Sequence, residues 1–359
     1  MIDKGIQIRN VFYMLSYAFR ALRQSNYKYI EEEVFDNADD LLAEILYSGI
    51  SYQIKQGLKR DYIEISDDVS TLKGRIDINN SMRLFAQNSN KINCEFDDFS
   101  ENVLFNQILK STIYKLISLD AIKTERRNKL KTLKPYFQDI SLINFNTINW
   151  GAIEFDRNNQ NYILLINICK IVSRNLLMSE KSGNKKHVIF TDDQMNLVFQ
   201  NFVLTYYQEY VKKEKIKNTS VKAMQIERAI DFTKYNEGTI YLPELQTDIT
   251  IQCKNRTLII DTKYYENILK EHFGKSRYER NNINQIHEYV HQYNYSNRDK
   301  EVRGMLLYAK TDEQVEREQA FEAGNWYYIR TLDLNVEPFE ELTSQLDNTF
   351  KEILLDWIN

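Results

Sequence analysis

Hydrophobic residues recur along this chain with two periods, and the period decides which element each segment is predicted to form. In the first half, a spacing of three to four residues predicts helices, and strict alternation predicts strands. The predicted helices are 11–22, 36–56, 102–119 and about 158–178, and the predicted strands are 61–66, 71–78 and 91–96. We therefore expect an α+β domain in the first half of the chain.

The second half of the chain has a different order of elements. The predicted helices are 195–212, one that includes Gln285, and 338–358. The predicted strands are 221–227, 239–245, a hairpin over 247–263, 302–310 and 325–329, with a loop at 264–282. A polar stretch at 179–186 separates the two halves. We predict two domains, 1–180 and 187–359, and the second has the order of an α/β core.

Composition and charge narrow the class of protein. The 359 residues are enough for two domains, and a hydrophobic content of 43% allows a substantial core. A net charge of −4 excludes a generally basic nucleic-acid coat but permits a local basic groove. Without a signal peptide or an apolar run of membrane-spanning length, we expect a cytoplasmic protein with no membrane partner. The scattered cysteines, Cys94, Cys169 and Cys253, are expected to be reduced core residues.

The predicted hairpin carries the candidate chemistry. If Lys254-Asn255 forms a two-residue turn, Cys253 pairs with Arg256, and counting along both strands places Asp248 opposite Asp261. The residues of the other face are then Ile249, Ile251, Leu258 and Ile260. A slip of one residue would mix acids and isoleucines on both faces, so burial favours this register.

The polar face of the hairpin combines two carboxylates with an ammonium, because alternation puts Lys263 on the face of Asp261. Close carboxylates repel unless a cation lies between them, and Mg²⁺ takes oxygen ligands and binds phosphate. The lysine could orient or deprotonate a water, or offset phosphate charge. We predict Asp248, Asp261 and Lys263 as catalytic residues, with both aspartates binding Mg²⁺ or Mn²⁺. The alternative is a surface hairpin with an ordinary salt bridge.

A rival motif lies on the helix that follows. His287-Glu288-Tyr289-Val290-His291 has the H-E-x-x-H spacing, which allows two histidines to bind Zn²⁺ as in a metalloprotease. A third ligand is also needed, and the nominated residues are Glu301, Asp312 and Glu313. The polar sequence of this helix is unusual for a buried active-site helix, so the match could arise by chance.

A basic cluster lies between the hairpin and that helix. Its members are Lys270, Lys275, Arg277 and Arg280, which surround Tyr278. Such a cluster would position the phosphates of DNA without reading bases. The alternative is a solvated flexible loop.

The residues around the hairpin resemble the core of the PD-(D/E)XK nuclease superfamily. Asp248, Asp261 and Lys263 match its acidic and basic positions, while Thr247 stands where the family usually has proline. Downstream, Gln285 and Tyr289 form a Q-x-x-x-Y similar to that of RecB-like nucleases, and they are one helical turn apart. The resemblance implies a restriction-endonuclease-like fold for the second domain, with these two residues supporting the catalytic ones.

Three blocks in the first half resemble the McrC family, the nuclease subunit of modified-cytosine restriction systems. They are Ile8 to Ala18, Leu72 to Asp77, and Cys94 to Asn102 with Asn106 and Leu109. Together with the hairpin, the resemblance covers most of the chain. One departure is Gln200, where relatives often carry a glutamate that can support the metal site. The third acidic position is therefore open.

The McrC resemblance implies a partner. McrC proteins dock through their N-terminal half on McrB, a hexameric AAA+ GTPase that recognises methylated DNA, and stimulate its GTP hydrolysis. This chain has no P-loop of its own, since Leu269 replaces the first glycine before Gly274-Lys275-Ser276. We therefore expect the partner, not this chain, to bind GTP. Lys73 and Arg75 could meet the partner ring or could simply flank a strand turn.

Three hypotheses follow from the sequence. The first is a Mg²⁺-dependent endonuclease subunit that cuts double-stranded DNA containing modified cytosine when a GTPase motor activates it. The second is a non-catalytic DNA-binding or assembly subunit with a decayed nuclease fold. The third is the zinc protease.

Overall fold

The computed structural model describes residues 2–3, 6–19, 22, 27, 29–30, 33, 35, 37–156, 159–182, 192–228, 244–264, 269–272, 275–310 and 318–358. The helices are α1 Ile8–Ala18, α2 Ala38–Gln56, α3 Ile78–Ala86, α4 Leu104–Ile117, α5 Thr124–Lys131, α6 Tyr162–Ser182, α7 Asp192–Lys213, α8 Arg280–Ser296 and α9 Phe339–Ile358. Among these described helices, none is both long and apolar enough to cross a membrane.

The described strands range from two to ten residues in length. They are β1 Ile2–Asp3, β2 Ile6–Gln7, β3 Asp61–Val69, β4 Arg75–Ile76, β5 Ile92–Ser100, β6 Thr219–Lys222, β7 Gln225–Ile226, β8 Leu245–Gln246, β9 Ile249–Cys253, β10 Arg256–Tyr264, β11 Leu269–His272, β12 Lys275–Tyr278, β13 Glu301–Lys310, β14 Glu318–Glu322 and β15 Asn325–Asp333. The three cysteines are buried and form no disulfide, as the sequence predicts.

The chain forms two compact units. The helical unit comprises residues 25–30 and 39–188, and the sheet unit comprises residues 1–24, 31–38 and 189–359. The predicted ranges 1–180 and 187–359 are therefore wrong for the N-terminal segment, which belongs to the sheet unit. The physical reason is packing: α1 lies against α7. The side-chain amide of Asn10 also donates hydrogen bonds to the carbonyls of Leu334, at 2.9 Å, and Val336, at 2.8 Å.

The helical unit combines α-helices with a small three-stranded sheet in the order β3-β5-β4. The predicted strand at 71–78 is mostly wrong, since only Arg75–Ile76 pairs with β5. Asp77 ends that strand by capping α3, because its carboxylate accepts a hydrogen bond from the Asn80 backbone N–H at 3.1 Å. Neither α3 nor α5 is among the predicted helices.

The sheet unit is built on a mixed sheet, in which the described strands follow the order β14-β15-β13-β10-β9-β6. Strands β10, β13 and β15 run parallel, while β9, β6 and β14 pair antiparallel with their neighbours. Helix α8 covers one face, where Ile259, Ile286 and Val290 share an apolar cluster. Gly304 on β13 permits this close approach, because a Cβ there would come within 2.9 Å of Ile286 and Val290. Helix α7 also contacts β10.

The predicted hairpin register is confirmed. Cys253 pairs with Arg256, Ile251 with Leu258, and Ile249 with Ile260. Lys254 adopts the left-handed backbone that a tight turn requires, with φ 54°. The hairpin is not a surface element, however, since every residue from 257 to 264 is buried. Asp261 therefore lies inside the fold, whereas Asp248 is half-buried.

The predicted loop at 264–282 is also structured in its described part. Strands β11 and β12 form an antiparallel pair in which Lys270 lies opposite Arg277. Helix α8 then begins at Arg280. The basic cluster is therefore carried by a hairpin and a helix start rather than by a loop.

Candidate functional site

Strand β10 brings the predicted acid and lysine together at its carboxyl end. Asp261 and Lys263 have exposed fractions of only 1% and 9%, and they lie two positions apart on the strand face that α8 covers. The ammonium of Lys263 lies 2.9 Å from Oδ2 of Asp261. It also donates a hydrogen bond to Oε1 of Gln285 on α8, again at 2.9 Å. The lysine is thus fixed by one charged and one neutral oxygen.

Asp248 reaches the same strand from a bend just before β9. The prediction that Asp248 pairs directly opposite Asp261 is wrong in detail, because the ladder ends at Ile249 and Ile260. Its carboxylate instead accepts hydrogen bonds at Oδ2 from the backbone N–H and the hydroxyl of Thr262, both at 2.7 Å. Both bonds go to the same oxygen, and within the described residues no hydrogen bond is made to Oδ1.

Two residues that the sequence reasoning missed complete this edge of β10. Where β9 no longer pairs with β10, the N–H of Thr262 is met by Asp248. Two positions later, the N–H of Tyr264 donates to Oδ1 of Asn196 on α7 at 3.1 Å. Side chains therefore replace the missing strand. Thr262 lies between Asp261 and Lys263 in sequence, and alternation places its side chain on the opposite face of β10 from theirs. Asn196 carries no sequence signal that indicates its role.

Gln200, the departure from the family pattern named in the sequence analysis, lies one helical turn after Asn196. It is half-buried and forms no hydrogen bond within the described part of the chain. Within the same residues, no group of three His, Cys, Asp or Glu side chains converges. The third acidic position stays open in this structure.

Burial raises the pKa of both candidate acids. For Asp261 the pKa rises to about 6, because burial and the charge of Asp248 outweigh the lowering by Lys263. Burial also raises the pKa of Asp248, against the hydrogen bonds from Thr262 and the charge of Lys263. Asp261 is buried, Asp248 is half-buried, and the charge of Asp248 disfavours ionisation of Asp261; a bound cation would relieve this repulsion.

Helix α8 supports the lysine through a short hydrogen-bond chain. Nε2 of Gln285 donates to the hydroxyl of Tyr289 at 2.8 Å, and that hydroxyl donates to the carbonyl of Gln246 at 2.9 Å. Since an ammonium only donates, Oε1 of Gln285 must face Lys263, and its NH₂ group must face Tyr289. The chain fixes the amide orientation and links α8 to the residues just before Asp248. The structure brings Gln285 and Tyr289 to Lys263, and their supporting role stays a prediction.

The donor set fits a hard divalent cation. Oδ2 of Asp261 is buried, and its contact with Lys263 is an ion pair whose angles fall outside those of a regular hydrogen bond. Within the described residues, Oδ2 of Asp261 has no regular hydrogen bond, and the hydrogen bonds of Asp248 all go to its Oδ2. One or two carboxylates completed by waters and phosphate are the usual ligands of Mg²⁺ in proteins, whereas zinc sites usually include histidine nitrogen or cysteine sulfur.

The H-E-x-x-H motif does not form a zinc site among the described residues. His287 stacks on Tyr327 with ring centroids 4.1 Å apart, and Glu288 pairs with Arg228 at 2.6 Å. His291 is exposed. Of the nominated third ligands, Glu301 pairs with Arg303 at 2.6 Å, and Asp312 and Glu313 lie outside the described residues.

The basic residues predicted to meet DNA lie on the segment that joins β10 to α8. Arg277 on β12 and Arg280 at the start of α8 are exposed. Lys270 and Lys275 occupy register positions opposite Arg277 and His272. Tyr278 between them stacks on Tyr308, at 6.0 Å between centroids, so it serves the core of the sheet unit rather than a base.

Lys73 and Arg75 flank a glycine turn in the helical unit, and both are exposed. Gly74 has φ 59°, and a Cβ there would collide with the Glu95 carbonyl and the Phe96 side chain. Lys73 lies over the Phe96 ring at 4.9 Å, and Arg75 pairs with Glu95. The pKa of Arg75 is raised by that pairing.

Comparison with known proteins identifies the family. A family model described as the McrBC 5-methylcytosine restriction system component matches residues 3–309. The chain belongs to this McrBC family. A relative from Escherichia coli (strain K12), the type IV methyl-directed restriction enzyme EcoKMcrBC, is 26% identical over 313 residues, which cover 86% of this chain and 88% of that protein. The resemblance to McrC found in the sequence is thereby confirmed.

Two solved McrBC assemblies from Thermococcus gammatolerans are similar to the chain. One is a half-complex from a tetradecameric assembly of McrB AAA+ hexamers with bound McrC; it is 14% identical, with a TM-score of 0.49, and covers 95% of this chain and 78% of that one. The other is the McrBC complex, 17% identical, with a TM-score of 0.41 and coverage of 59% and 58%.

The departure at Thr247 has a structural reason. The Thr247 backbone N–H donates to the Met224 carbonyl at 2.8 Å, a bond that proline could not make. Its hydroxyl accepts from the Met224 N–H at 3.0 Å and contacts the hydroxyl of Thr250 at 2.9 Å. Thr247 therefore fixes the backbone before the Asp248 bend through hydrogen bonds, whereas a proline would fix it through its rigid ring.

Proposed function

We propose that this protein is the metal-dependent DNA endonuclease subunit of a McrBC-type restriction complex, with a PD-(D/E)XK-like active site in the sheet unit. One observation carries the proposal: Asp248, Asp261 and Lys263 converge at the carboxyl end of β10, with a buried carboxylate oxygen of Asp261 that lacks a regular hydrogen bond. Family membership supports the same conclusion.

Each residue of the site has a specific task. Asp248 and Asp261 would hold Mg²⁺ or Mn²⁺, which supplies Lewis-acid stabilisation of charge on the scissile phosphate when bound. Lys263 would orient the attacking water and offset charge that develops on the phosphate oxygens. Gln285, itself bonded to Tyr289, holds that ammonium in place. The hydroxyl of Thr262 holds the carboxylate of Asp248, and Asn196 holds the backbone at Tyr264.

DNA would approach the site along the basic segment that follows β10. Arg277 and Arg280 present exposed guanidinium groups, and Lys270 and Lys275 lie on the same hairpin. These charges would position the phosphates of double-stranded DNA. The E. coli relative is a methyl-directed restriction enzyme, and we propose DNA that contains modified cytosine as the substrate here as well.

The helical unit carries a surface suited to a protein partner. Helix α3 turns its apolar side outward: Ile78, Met82 and Phe85, here called the α3 stripe, are 69%, 67% and 60% exposed. They recur at i, i+4 and i+7, so they share one helix face. The opposite face holds Ser81, whose hydroxyl bonds the backbone of Asn93 on β5.

An amphipathic helix normally faces its apolar stripe toward the core, and a large exposed apolar patch marks an interaction site. Leu72 and Ile76 beside the glycine turn are exposed too, next to Lys73 and Arg75. We propose that the α3 stripe and this turn dock on a McrB-like AAA+ GTPase hexamer. GTP is bound by that partner.

The substitution Lys263→Ala tests this division of labour. It removes the ammonium from the reaction site without touching the helical unit. With the partner, GTP and Mg²⁺ present, cleavage of methylated duplex should be lost while stimulation of GTP hydrolysis persists. A folded Lys263→Ala variant that cuts like the wild type would exclude the proposed site, and a non-catalytic subunit predicts no Mg²⁺-dependent cleavage by either protein.

A further inference from the structure

The end of the large sheet away from Asp261 carries a concentration of lysines that the proposed active site does not use. Helix α7 ends in Lys212 and Lys213, and the connection to β6 adds Lys215 and Lys217. The β9–β10 turn contributes Lys254, whose backbone N–H donates to the Asn218 carbonyl at 3.3 Å. We call these five residues the lysine end.

The lysine end is positively charged in a protein whose net charge is −4. All five side chains are exposed, and none of their ammonium groups takes part in an ion pair or hydrogen bond within the described ranges. Glu214 is the acid inside the segment 212–217. The adjoining acid Glu301 is already paired with Arg303 at 2.6 Å and Arg256 at 3.5 Å.

Two of these lysines occupy backbone conformations that favour other residues. Lys215 has φ 52° and follows the last turn of α7, where the Ile216 N–H bonds the Val211 carbonyl at 3.0 Å. Glycine or asparagine is the usual residue at such a helix end. Lys254 has φ 54° in a hairpin turn, where asparagine or glycine is again favoured.

Structure alone explains only part of the cluster. Lys212 and Lys213 suit the negative end of a helix. Lys215 and Lys254 have no such favourable interaction with a helix end. A left-handed backbone also lowers the stability of the fold when the residue is not glycine. Exposed charge at Lys215 and Lys254, which no local structural role explains, points to a ligand that is itself highly negative.

We propose that the lysine end is a second contact for the phosphate backbone of double-stranded DNA, separate from the basic segment near the active site. The inference rests on the proposed nuclease function. Seven residue steps along β10 separate Arg256 from Lys263, which is roughly 23 Å at strand spacing. The lysine end and the proposed active site therefore lie at opposite ends of β10.

The test is the salt dependence of duplex binding by the full chain, measured by fluorescence anisotropy without divalent metal, so that no cleavage occurs. The main variant is Lys215→Asn with Lys254→Asn. Because asparagine tolerates the left-handed backbone, its melting temperature should equal or exceed that of the wild type. Lys351→Gln, which removes an exposed lysine from α9, is the matched control.

We expect the double variant to reduce the slope of log K against log salt by about 2, since each lost phosphate contact removes about 0.9. The Lys351→Gln slope should equal the wild-type slope. A second pair, Lys213→Gln with Lys217→Gln, changes no left-handed position and should give a similar reduction. Equal slopes in all proteins, or no duplex binding by the wild type at about 50 mM salt, would overturn the proposal.

The result is independent of the test for cleavage. A wild-type protein that shows the lysine-dependent slope but never cuts DNA with Mg²⁺ and the partner would retain this contact and reject the nuclease. Cleavage with unchanged slopes would retain the nuclease and reject the contact.

Discussion

The ammonium of Lys263 donates a hydrogen bond to Oε1 of Gln285 across 2.9 Å, and this bond joins the strand that bears the acids to helix α8. Gln285 is in turn held by Tyr289. The position of the lysine therefore depends on a residue that touches neither the acids nor the proposed cation.

The first prediction concerns this hydrogen bond. Gln285→Leu keeps the size of the side chain but removes the oxygen that Lys263 bonds, so cleavage should fall about 10- to 100-fold, as is typical when a supporting partner of a metal site is lost. Cation binding should change little, because Asp248 and Asp261 are intact. Asn284→Ala, at the exposed neighbouring position, is the control. Equal rates for the two variants would show that the bond has no part in catalysis.

The second prediction uses two substitutions of Asp248. Asp248→Asn keeps an oxygen that can accept from Thr262, so the fold should retain its stability in EDTA while cation binding is lost. Asp248→Leu leaves the Thr262 N–H and hydroxyl without an acceptor and should cost about 1–3 kcal/mol of stability. Thermal melts and Mn²⁺ titration distinguish the two. The account of Asp248 fails if the asparagine variant binds Mn²⁺ as the wild type does.

The third prediction concerns pH. Burial and the charge of Asp248 raise the pKa of Asp261 to about 6, so this carboxyl gains a proton as pH falls through that range. A protonated carboxyl is a poor ligand, and Mn²⁺ affinity should therefore decrease as pH falls below about 6. For an ordinary aspartate the decrease would occur near pH 4. Mn²⁺ titrations between about pH 4 and about pH 6 distinguish these two outcomes, and circular dichroism at each pH checks that the fold is unchanged.

The sequence predicted the register of the β9–β10 hairpin better than it predicted what packs around that hairpin. Period-2 alternation and the two-residue turn gave the register of β9 and β10, because burial of isoleucines allows only one register. Asn196 could not be found in this way: a single side chain on a helix 68 residues earlier meets the Tyr264 N–H only after the helix packs on the sheet. Contacts set by tertiary packing leave no periodic signal.

The division into domains was wrong for a related reason. Helix α1 was predicted correctly as an element, but nothing in its hydrophobic pattern shows which core it joins. Helix α3 was missed although Ile78, Met82 and Phe85 recur at helical spacing, and the stretch 71–78 was predicted as a strand. The error in the domain division concerns what packs against an element, which local sequence does not determine.

The fourth prediction tests the placement of α1 in the sheet unit. Asn10→Ala removes the amide that donates to Leu334 and Val336, leaving two carbonyls unsatisfied, one of them in a buried bond. The protein should lose at least about 2 kcal/mol of stability. Arg9→Ala, on the exposed side of α1, should stay within about 0.5 kcal/mol of the wild type. Equal melting temperatures for both variants would place α1 outside the sheet unit's core.

The fifth prediction tests the α3 stripe. Met82→Ser with Phe85→Ser changes two exposed side chains, so the melting temperature and Mn²⁺ binding should be unchanged. Loss of apolar contact should reduce stimulation of the partner's GTP hydrolysis by tenfold or more, on the order of a lost interface anchor. Leu142→Ser removes a side chain of similar exposure, 59%, from the same unit and should have no effect. Unaltered stimulation by the double variant would move the docking surface elsewhere.

The central claim is that Asp261 binds the cation that makes this chain a nuclease, and cleavage of a methylated duplex with the partner, GTP and Mg²⁺ measures it most directly. Asp261→Asn should reduce the rate at least about a thousandfold, because charge stabilisation of several kcal/mol is lost. GTP hydrolysis should remain stimulated, and Asp299→Asn, at an exposed acid of the same unit, should cut like the wild type. Cleavage by Asp261→Asn at the wild-type rate would contradict the account.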